Sequence, residues 1–334
     1  MSRMRWCFCV TIAGAFLLPM AVSVAAQAAP AAKTESQGGA PTKFAAEVPL
    51  LDCDGVPCIE ARIGEGKPLK LAIDTGNASS VVDKDVADAA GLKPTKAMPA
   101  GAPAGMFITV ISAVHIGKAA GTTAAGEVAL RGEVTLREVP ALGLSLGEMI
   151  GQKQMPDVAG TLAYTAFKDR IVQIDFVAHK VRISEVLAKP ADCPGVCDKF
   201  SLVTFGKKGP PIVVAEGFAI NGKAVTAQVD TMYTGTMLVY STSIDKLGLS
   251  DAAKTEKTEN FPFTDGGVDM KSAPAQKQSF HDTVLGVSAP VVYFPTPDVH
   301  EPDGMFDATV GLGLFYGTVL TLDFRDMTIS VTKL

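Results

Sequence analysis

The segments Ile73-Asp74-Thr75-Gly76 and Val229-Asp230-Thr231-Met232 decide the fold of this chain. Each segment ends an apolar run and presents an aspartate followed by a threonine. A single Asp-Thr-Gly tripeptide would be weak evidence, because it arises by chance in roughly one chain in fifteen of this length. The two copies occupy matching places in two halves of the sequence, which indicates a duplicated unit.

The sequence around the two motifs repeats as well. At a fixed offset of 148 residues, three blocks of the first half align without a gap with three blocks of the second: 163–167, 171–176 and 181–183 with 311–315, 319–324 and 329–331. The two aspartates are offset by 156 residues, so the spacer between motif and blocks differs by eight residues. Internal similarity of this kind predicts a tandem duplication.

The pattern of apolar segments predicts a mostly β fold. Short runs rich in Val, Ile, Leu and Phe are separated by Gly, Pro, Asn and Asp at regular intervals. Short helices are predicted at Lys84–Ala90, capped by Asp83, and at Thr242–Lys246, which ends at Gly248. We predict a first lobe at residues 44–186, a connection at 187–199 and a second lobe at 200–334.

The first 26 residues have the features of an export signal. Arg3 and Arg5 precede an apolar run from Trp6 to Val24, and Val24-Ala25-Ala26 is a small-residue cleavage site. An uncleaved membrane anchor is the alternative, because the run is nearly long enough to span a bilayer. Residues 27–43 are rich in Ala, Pro, Gly, Ser and Gln, which is typical of a flexible linker. We therefore expect an exported protein, periplasmic or secreted, without a membrane span after signal cleavage.

The charge of the chain excludes one class of partner. The full sequence carries 30 Lys and Arg against 35 Asp and Glu, a net charge of −5. Loss of Arg3 and Arg5 with the signal leaves a mildly acidic chain whose charges are spread along the sequence. No basic stripe is present, so no nucleic-acid partner is predicted.

Four cysteines remain after signal cleavage: Cys53, Cys58, Cys193 and Cys197. An even number of cysteines in an exported chain favours disulfides, and three pairings are possible. The short spacings favour the local pairs, because turn residues separate the members of each pair. A zinc site of four thiolates is the alternative, since both spacings allow chelation.

A strand that ends in Asp-Thr-Gly exposes the aspartate carboxylate on a tight loop. Because glycine has no Cβ atom, the backbone of the loop can approach this carboxylate closely. Two such loops that meet between lobes would bring two carboxylates together. Like charges at that distance do not both ionise, so the pair would hold one proton in mildly acidic solution. The ionised acid could then take a proton from water while the protonated acid polarises a carbonyl group.

On these residues the chain resembles the aspartic peptidases, the superfamily of pepsin-like and retropepsin-like enzymes. The resemblance covers both lobes and is carried by Leu71–Val82 and Gly160–Ala163 in the first, and by Asp230-Thr231 and Ala308–Gly311 in the second. It implies two tandem-duplicated β-barrel lobes with short helices and a substrate cleft between them.

The resemblance also implies roles for individual residues. Asp74 and Asp230 would form the catalytic dyad, and Thr75 and Thr231 would hold each other's loops by hydrogen bonds across the interface. Gly76 and Thr234 would support the dyad as well. A hairpin flap over the substrate would fall within Ala97–Val114, and its tip candidates are Gly101, Gly105, Met106 and Phe107.

The chain departs from the family pattern at several positions. Met232 replaces the motif glycine of the second lobe, and Ala163 replaces a glycine of the second signature in the first lobe. Ala78 lacks a hydroxyl that is often present there, for which Asn77 or Ser79 is a possible substitute. No tyrosine lies between Pro94 and Leu162 to match the pepsin flap tyrosine, so the chain is predicted to be nearer to bacterial retropepsin-like chains.

The sequence therefore predicts an exported aspartic-type endopeptidase that acts on peptide or protein substrates, without a cofactor and as a monomer. The alternative is a peptide-binding or scaffolding protein that kept the fold and lost turnover through Met232. No metal site is predicted, because the four histidines, His115, His179, His281 and His300, are scattered along the chain.

Overall fold

The computed structural model describes residues 44–53, 55–96, 98, 102, 105–117, 131–146, 158–186, 193, 196–204, 209–261, 268–274, 277–286, 291–297, 299 and 301–333. The predicted signal and flexible linker lie outside these residues, as do Gly101 and His300. Within the described ranges, no helix combines the length and apolar character that a membrane crossing needs.

The described residues of the first lobe form ten strands and one α-helix, with a 3-10 turn at Tyr164–Phe167. These elements are β1 Phe44–Pro49, β2 Leu51–Cys53, β3 Val56–Ile63, β4 Leu69–Asp74, β5 Ser80–Asp83, α1 Lys84–Ala89, β6 Phe107–Gly117, β7 Arg131–Leu144, β8 Val158–Ala163, β9 Ile171–Asp175 and β10 Lys180–Ser184. Strand pairing in the order β3–β4–β8–β5–β7–β6 returns to β3, so these six strands close into a barrel.

The second lobe repeats this arrangement. Its elements are β11 Cys197–Thr204, β12 Pro211–Ile220, β13 Lys223–Asp230, β14 Met237–Val239, α2 Ile244–Leu247, β15 Thr258–Phe261, β16 Val268–Ala273, β17 Gln278–Phe280, β18 Thr283–Val284, β19 Val292–Phe294, β20 Ala308–Gly311, α3 Leu312–Phe315, β21 Thr318–Asp323 and β22 Thr328–Lys333. The order β12–β13–β20–β14–β19 matches the first barrel, and the place of β6 is shared by β16 and β17.

An antiparallel sheet joins the two lobes in the order β1–β10–β9–β21–β22–β11. At its centre, Gln173 of β9 lies opposite Thr321 of β21. These residues are separated by 148 positions, the offset of the repeat, and the amide of Gln173 donates a hydrogen bond to the hydroxyl of Thr321 at 3.2 Å. The pseudo-twofold relation between the lobes therefore passes through this pair.

One apolar core extends through both barrels and includes buried side chains on either side of the joining sheet, among them Ile73, Phe167, Val229 and Phe315. The fold is the two-lobed, mostly β architecture that the repeat and the resemblance predicted. The first predicted helix is confirmed with its cap, because the carboxylate of Asp83 accepts a hydrogen bond from the Asp85 amide. The second helix ends at Gly248, which has the left-handed φ of 69° that favours glycine.

The cysteines form the two local pairs. Cys53 pairs with Cys58 across the turn between β2 and β3, with Cα atoms 6.0 Å apart. Cys193 pairs with Cys197 at a Cα distance of 6.1 Å. No group of three or more potential metal ligands is present among the described side chains. The second pair lies where the lobes connect, and β11 begins inside the connection predicted at 187–199, because Cys197–Lys199 pair with β22.

Candidate active site

Each motif aspartate is the last residue of a central barrel strand. Asp74 ends β4 between β3 and β8, with Ala163 of β8 opposite it. Asp230 ends β13 between β12 and β20, with Gly311 of β20 opposite it. Because the apolar residues Ile73 and Val229 are buried on the core side, strand alternation turns both acids toward the other lobe.

Thr75 and Thr231 connect the two loops by reciprocal hydrogen bonds. The hydroxyl of Thr75 donates to the carbonyl of Val229 at 2.9 Å and accepts from the amide of Thr231 at 3.1 Å. The hydroxyl of Thr231 donates to the carbonyl of Ile73 at 2.5 Å and accepts from the amide of Thr75 at 3.1 Å. These are the bonds across the interface that the resemblance implies, and they fix the two loops to each other.

Separate donors orient the two carboxylates. Asp74 accepts from the amide of Gly76 at 3.0 Å and from the side-chain amide of Asn77 at 2.7 Å. Asp230 accepts from the amides of Met232 at 2.9 Å and Tyr233 at 3.3 Å. Of the two substitutes considered for the hydroxyl missing at Ala78, Asn77 is therefore the one that contacts the acid.

The backbone of the first loop lies directly against the second acid. A Cβ atom built on Gly76 would lie 2.4 Å from Cγ of Asp230 and 2.6 Å from both of its carboxylate oxygens. Real Cβ atoms do not approach other atoms this closely, so position 76 requires glycine. The contact also shows that the loop of the first lobe reaches the aspartate of the second lobe.

The environment of the pair favours the protonated form. Asp74 is only 4% exposed. Burial and the charge of Asp230 raise the pKa of Asp74 to about 7, against the opposing effect of the hydrogen bonds from Asn77 and Gly76. Burial also raises the pKa of Asp230 above its ordinary value, although the amides of Met232 and Tyr233 favour its charged form. Such a pair holds a proton in acidic solution up to near-neutral pH.

Met232 turns its side chain toward the first lobe. It is partly buried and packs against an apolar cluster made of Cys53, Val56, Cys58, Ala72 and Val158. Its main-chain amide donates a hydrogen bond to Asp230. The methionine thus joins the second loop to the first lobe through its side chain and still supplies the amide that a motif glycine would supply.

Tyr233 and Thr234 continue the second loop. The ring of Tyr233 is buried in the second lobe, with centroids 5.5 Å from Phe261 and 6.4 Å from Tyr293. Thr234 is partly buried, and its methyl carbon would lie 3.8 Å from a Cβ atom on Gly55. In the described part of the chain, Asp230 is held by main-chain amides and not by the hydroxyl of Thr234.

A backbone pairing lies beside the predicted flap region. Lys96 forms an isolated antiparallel bridge with Ile108, which brings the ends of the intervening segment together. Gly105 lies in a turn with φ of 79°. Met106 packs in a cluster with Leu142 and Leu144. Much of the tip lies outside the described residues.

Phe107 belongs to a strand next to the predicted flap tip. It is the first residue of β6 and lies opposite Gly143 of β7, where its ring occupies the space that a Cβ on Gly143 would need. Met106 is buried, with 8% of its surface exposed. Of the three described candidates, Gly105 alone remains in a turn.

Three residues outside the predicted site form hydrogen bonds between the two lobes. Gln228 donates from its side-chain amide to the carbonyl of Gly76 at 3.3 Å. Tyr164 donates to the carbonyl of Pro211 at 3.0 Å, and Tyr316 donates to the carbonyl of Gly55 at 3.4 Å. The position of Gln228 could be predicted from the sequence. It precedes Asp230 by two residues, and strand alternation places such a residue on the same face as the acid.

Comparisons with known proteins give likeness of structure only. No protein-family model matches the sequence, and no curated protein matches it significantly. The chain is similar to solved structures of EDGP, with 11% identity over 88% of this chain and 96% of that one, and a TM-score of 0.48. It is also similar to basic 7S globulin from soybean, with 10% identity, coverage of 87% and 95%, and a TM-score of 0.44.

A third similar structure is conglutin gamma, a basic 7S globulin from lupine seeds, with 9% identity, coverage of 88% and 95%, and a TM-score of 0.47. Identities this low leave the activity of the present chain to be judged from its own residues.

Proposed function

We propose that this chain is an exported aspartic-type endopeptidase, in which Asp74 and Asp230 share one proton and activate a water molecule. The observation that supports this most directly is the contact between the loops, where the backbone of Gly76 lies against the carboxylate of Asp230. The Thr75–Thr231 bonds hold this arrangement in place.

The proposed reaction needs no covalent intermediate. The ionised acid takes a proton from water, and the water oxygen attacks the carbonyl carbon of a peptide bond. The protonated acid donates a hydrogen bond to the carbonyl oxygen, where negative charge develops. The proton taken from water then passes to the leaving nitrogen, the C–N bond breaks, and the pair returns to its singly protonated form.

The substrate in this proposal is an extended peptide in the cleft between the lobes. Main-chain hydrogen bonds would supply most of the binding, and side-chain pockets would add selectivity. The protein would act as a monomer, since each lobe contributes one acid. The two disulfides support export, because such bonds persist in oxidising compartments. A place nearer to retropepsin-like than to pepsin-like chains stays a prediction.

A binding protein without turnover is the second candidate, and the replacement of the motif glycine by Met232 favours it. Catalytic geometry tolerates misplacement poorly, so a small shift of the second loop would abolish hydrolysis and leave peptide binding intact. In that case the protein would bind an extended peptide in the same cleft.

Cleavage of an unfolded protein at acidic pH distinguishes the two candidates. The wild-type protein should cleave it, and both Asp74→Asn and Asp230→Asn should lose cleavage while keeping the fold. Binding of an unfolded protein by a wild-type chain that does not cleave it would favour the binding protein. Loss of activity in Asp74→Asn alone would contradict the two-lobe dyad.

A further inference from the structure

The offset of 156 residues between Thr75 and Thr231 also relates the neighbours of the two acids. Position 72 in β4 is equivalent to position 228 in β13, and position 76 is equivalent to position 232. In the first lobe these positions hold Ala72 and Gly76, and in the second lobe they hold Gln228 and Met232. Two contacts across the interface follow from this relation, one in each direction.

The first contact joins a long side chain of the second lobe to a glycine of the first. The amide nitrogen of Gln228 donates to the carbonyl of Gly76 at 3.3 Å. Its amide oxygen accepts from the hydroxyl of Thr309 at 3.2 Å, on the strand beside it. The hydroxyl of Thr309 lies 2.8 Å from the hydroxyl of Tyr240, so Gln228 is held at both ends.

The reverse contact has the long and short side chains exchanged. The residue equivalent to Gln228 is Ala72, whose short side chain cannot make the contact that Gln228 makes. Met232 stands where the equivalent of Gly76 would be, and its side chain packs against the cluster that contains Ala72, Cys58 and Val158. A polar contact to a carbonyl is thus replaced by an apolar contact to a cluster.

Thr161 supplies an independent observation for this exchange. It lies opposite Ala72 in the strand register, as Thr309 lies opposite Gln228. Thr161 is 6% exposed. Its hydroxyl has no hydrogen-bond partner among the described residues. A buried hydroxyl without a partner needs an explanation, and the absence of a glutamine at position 72 provides one.

We propose that Met232 and Ala72 form a compensating pair that replaces, in the first lobe, the Gln228–Gly76 contact of the second. Met232 is then a positioning residue, because its side chain holds the loop of Asp230 onto the first lobe. The consequence for catalysis rests on the proposed function, whereas the pairing itself does not. The second lobe thus lacks a glycine at position 232, and the first lobe lacks a glutamine at position 72. In this arrangement, each difference compensates for the other.

The test uses the full chain with four substitutions: Met232→Gly, Ala72→Gln, both together, and Met232→Leu. Met232→Gly and Ala72→Gln should each lower the melting temperature by about 3 °C or more. The first removes the apolar side chain from the cluster, and the second places a larger side chain where Met232 packs. The double variant should recover most of the loss, because the glutamine introduced at position 72 would gain the Thr161 hydroxyl as a donor and the carbonyl of residue 232 as an acceptor. Met232→Leu should retain most of the wild-type melting temperature.

Met305→Gly is the matched control, because Met305 is exposed in a loop of the second lobe. It should change the melting temperature by about 1 °C or less. Additive losses in the double variant, or a wild-type melting temperature for Met232→Gly, would overturn the pairing.

Positioning is tested by titration of the two carboxyls, followed by carbon NMR. Met232→Gly should shift the titration of Asp74 toward the ordinary acidic range, and the double variant should restore it. Unchanged titration in Met232→Gly would leave Met232 a packing residue and overturn its positioning role. These readouts do not need hydrolysis, so a wild-type chain that fails to cleave protein would contradict the proposed function without touching the pair.

Discussion

The hydroxyl oxygens of Thr75 and Thr231 lie 3.4 Å apart at the centre of the interface between the lobes. Each hydroxyl accepts from the amide of the other threonine and donates to a carbonyl of the other strand. Both residues are buried, with at most 1% of their surface exposed. The bonds therefore act as a unit, because breaking one shifts the loop that carries the others.

Replacement of either threonine by valine should destabilise the protein. Each change leaves a buried amide and a buried carbonyl of the other lobe without a partner, at a cost of about 2–4 kcal/mol in the free energy of unfolding. The double variant should lose less than the sum, because the residues share their bonds. Chemical denaturation measures all three. Thr204→Val, at an exposed position of β11, is the control, and strictly additive losses would contradict the interpretation.

Gly76→Ala should abolish activity. The new Cβ would lie 2.4 Å from Cγ of Asp230, so the loops must separate and the proton can no longer be shared. We expect the rate of peptide hydrolysis to fall by about 100-fold or more. Gly222→Ala is a useful contrast, because that glycine has open space around it and a φ of 78°. It should lose stability and keep its rate, and an active Gly76→Ala variant would refute the close contact.

Asp74 should make the stability of the protein fall as the pH rises. Its pKa is raised from 3.8 to about 7 in the fold by burial and by the charge of Asp230, so the folded state holds the proton more tightly than the unfolded state. The stabilising contribution is therefore complete below about pH 4 and is lost as the pH rises through about 7. Asp74→Asn should be more stable than the wild type at pH 8 by about 1–3 kcal/mol, with a smaller difference near pH 4.

Urea denaturation at a series of pH values measures this difference. Asp282→Asn, at an exposed turn, controls for the substitution itself. A difference that stays constant between pH 4 and pH 8 would show that Asp74 titrates alike in the folded and unfolded states. The same shift predicts that hydrolysis continues to near-neutral pH and falls above about pH 7, because the pair then loses its shared proton.

Asn77 should tune the titration of Asp74. Its side-chain amide donates to the Asp74 carboxylate at 2.7 Å, and this bond favours the charged form and lowers the pKa. Asn77→Leu removes the donor, so the pKa of Asp74 should rise further and the alkaline limit of activity should move to higher pH. Carbon NMR of the carboxyl follows the titration. An unchanged or lower pKa would show that the amide does not hold the charged form.

The sequence was sufficient to predict the duplicated architecture, because the repeat is in register and one face of each strand is buried. Register then determines that Asp74 and Asp230 end equivalent strands. For the side chain that replaces the hydroxyl missing at Ala78, the sequence offered two candidates, Asn77 and Ser79, because both are close to Asp74 in the chain. These predictions depend on local order and periodicity, which a single sequence displays.

The contacts between the lobes could not be predicted in the same way. From the sequence alone, Met232 is only a departure from the motif glycine. The cluster that its side chain packs against comes from residues more than 70 positions away in the chain, such as Val158. The position of Phe107 in a strand depends on the same kind of contact. Met106 and Phe107 are apolar and adjacent to Gly105, and only the register of β6 against β7 reveals that Phe107 already belongs to a strand.

The sheet that joins the lobes has a consequence for the origin of the chain. A fragment that ended after β10 would leave β9 as an open sheet edge, and open edges associate with other copies. Because Gln173 meets its own repeat equivalent, Thr321, in antiparallel register, two copies of an ancestral half could have joined along this strand without any connecting peptide. In the present polypeptide the two halves are covalently connected, whereas the halves of a symmetric dimer would associate reversibly.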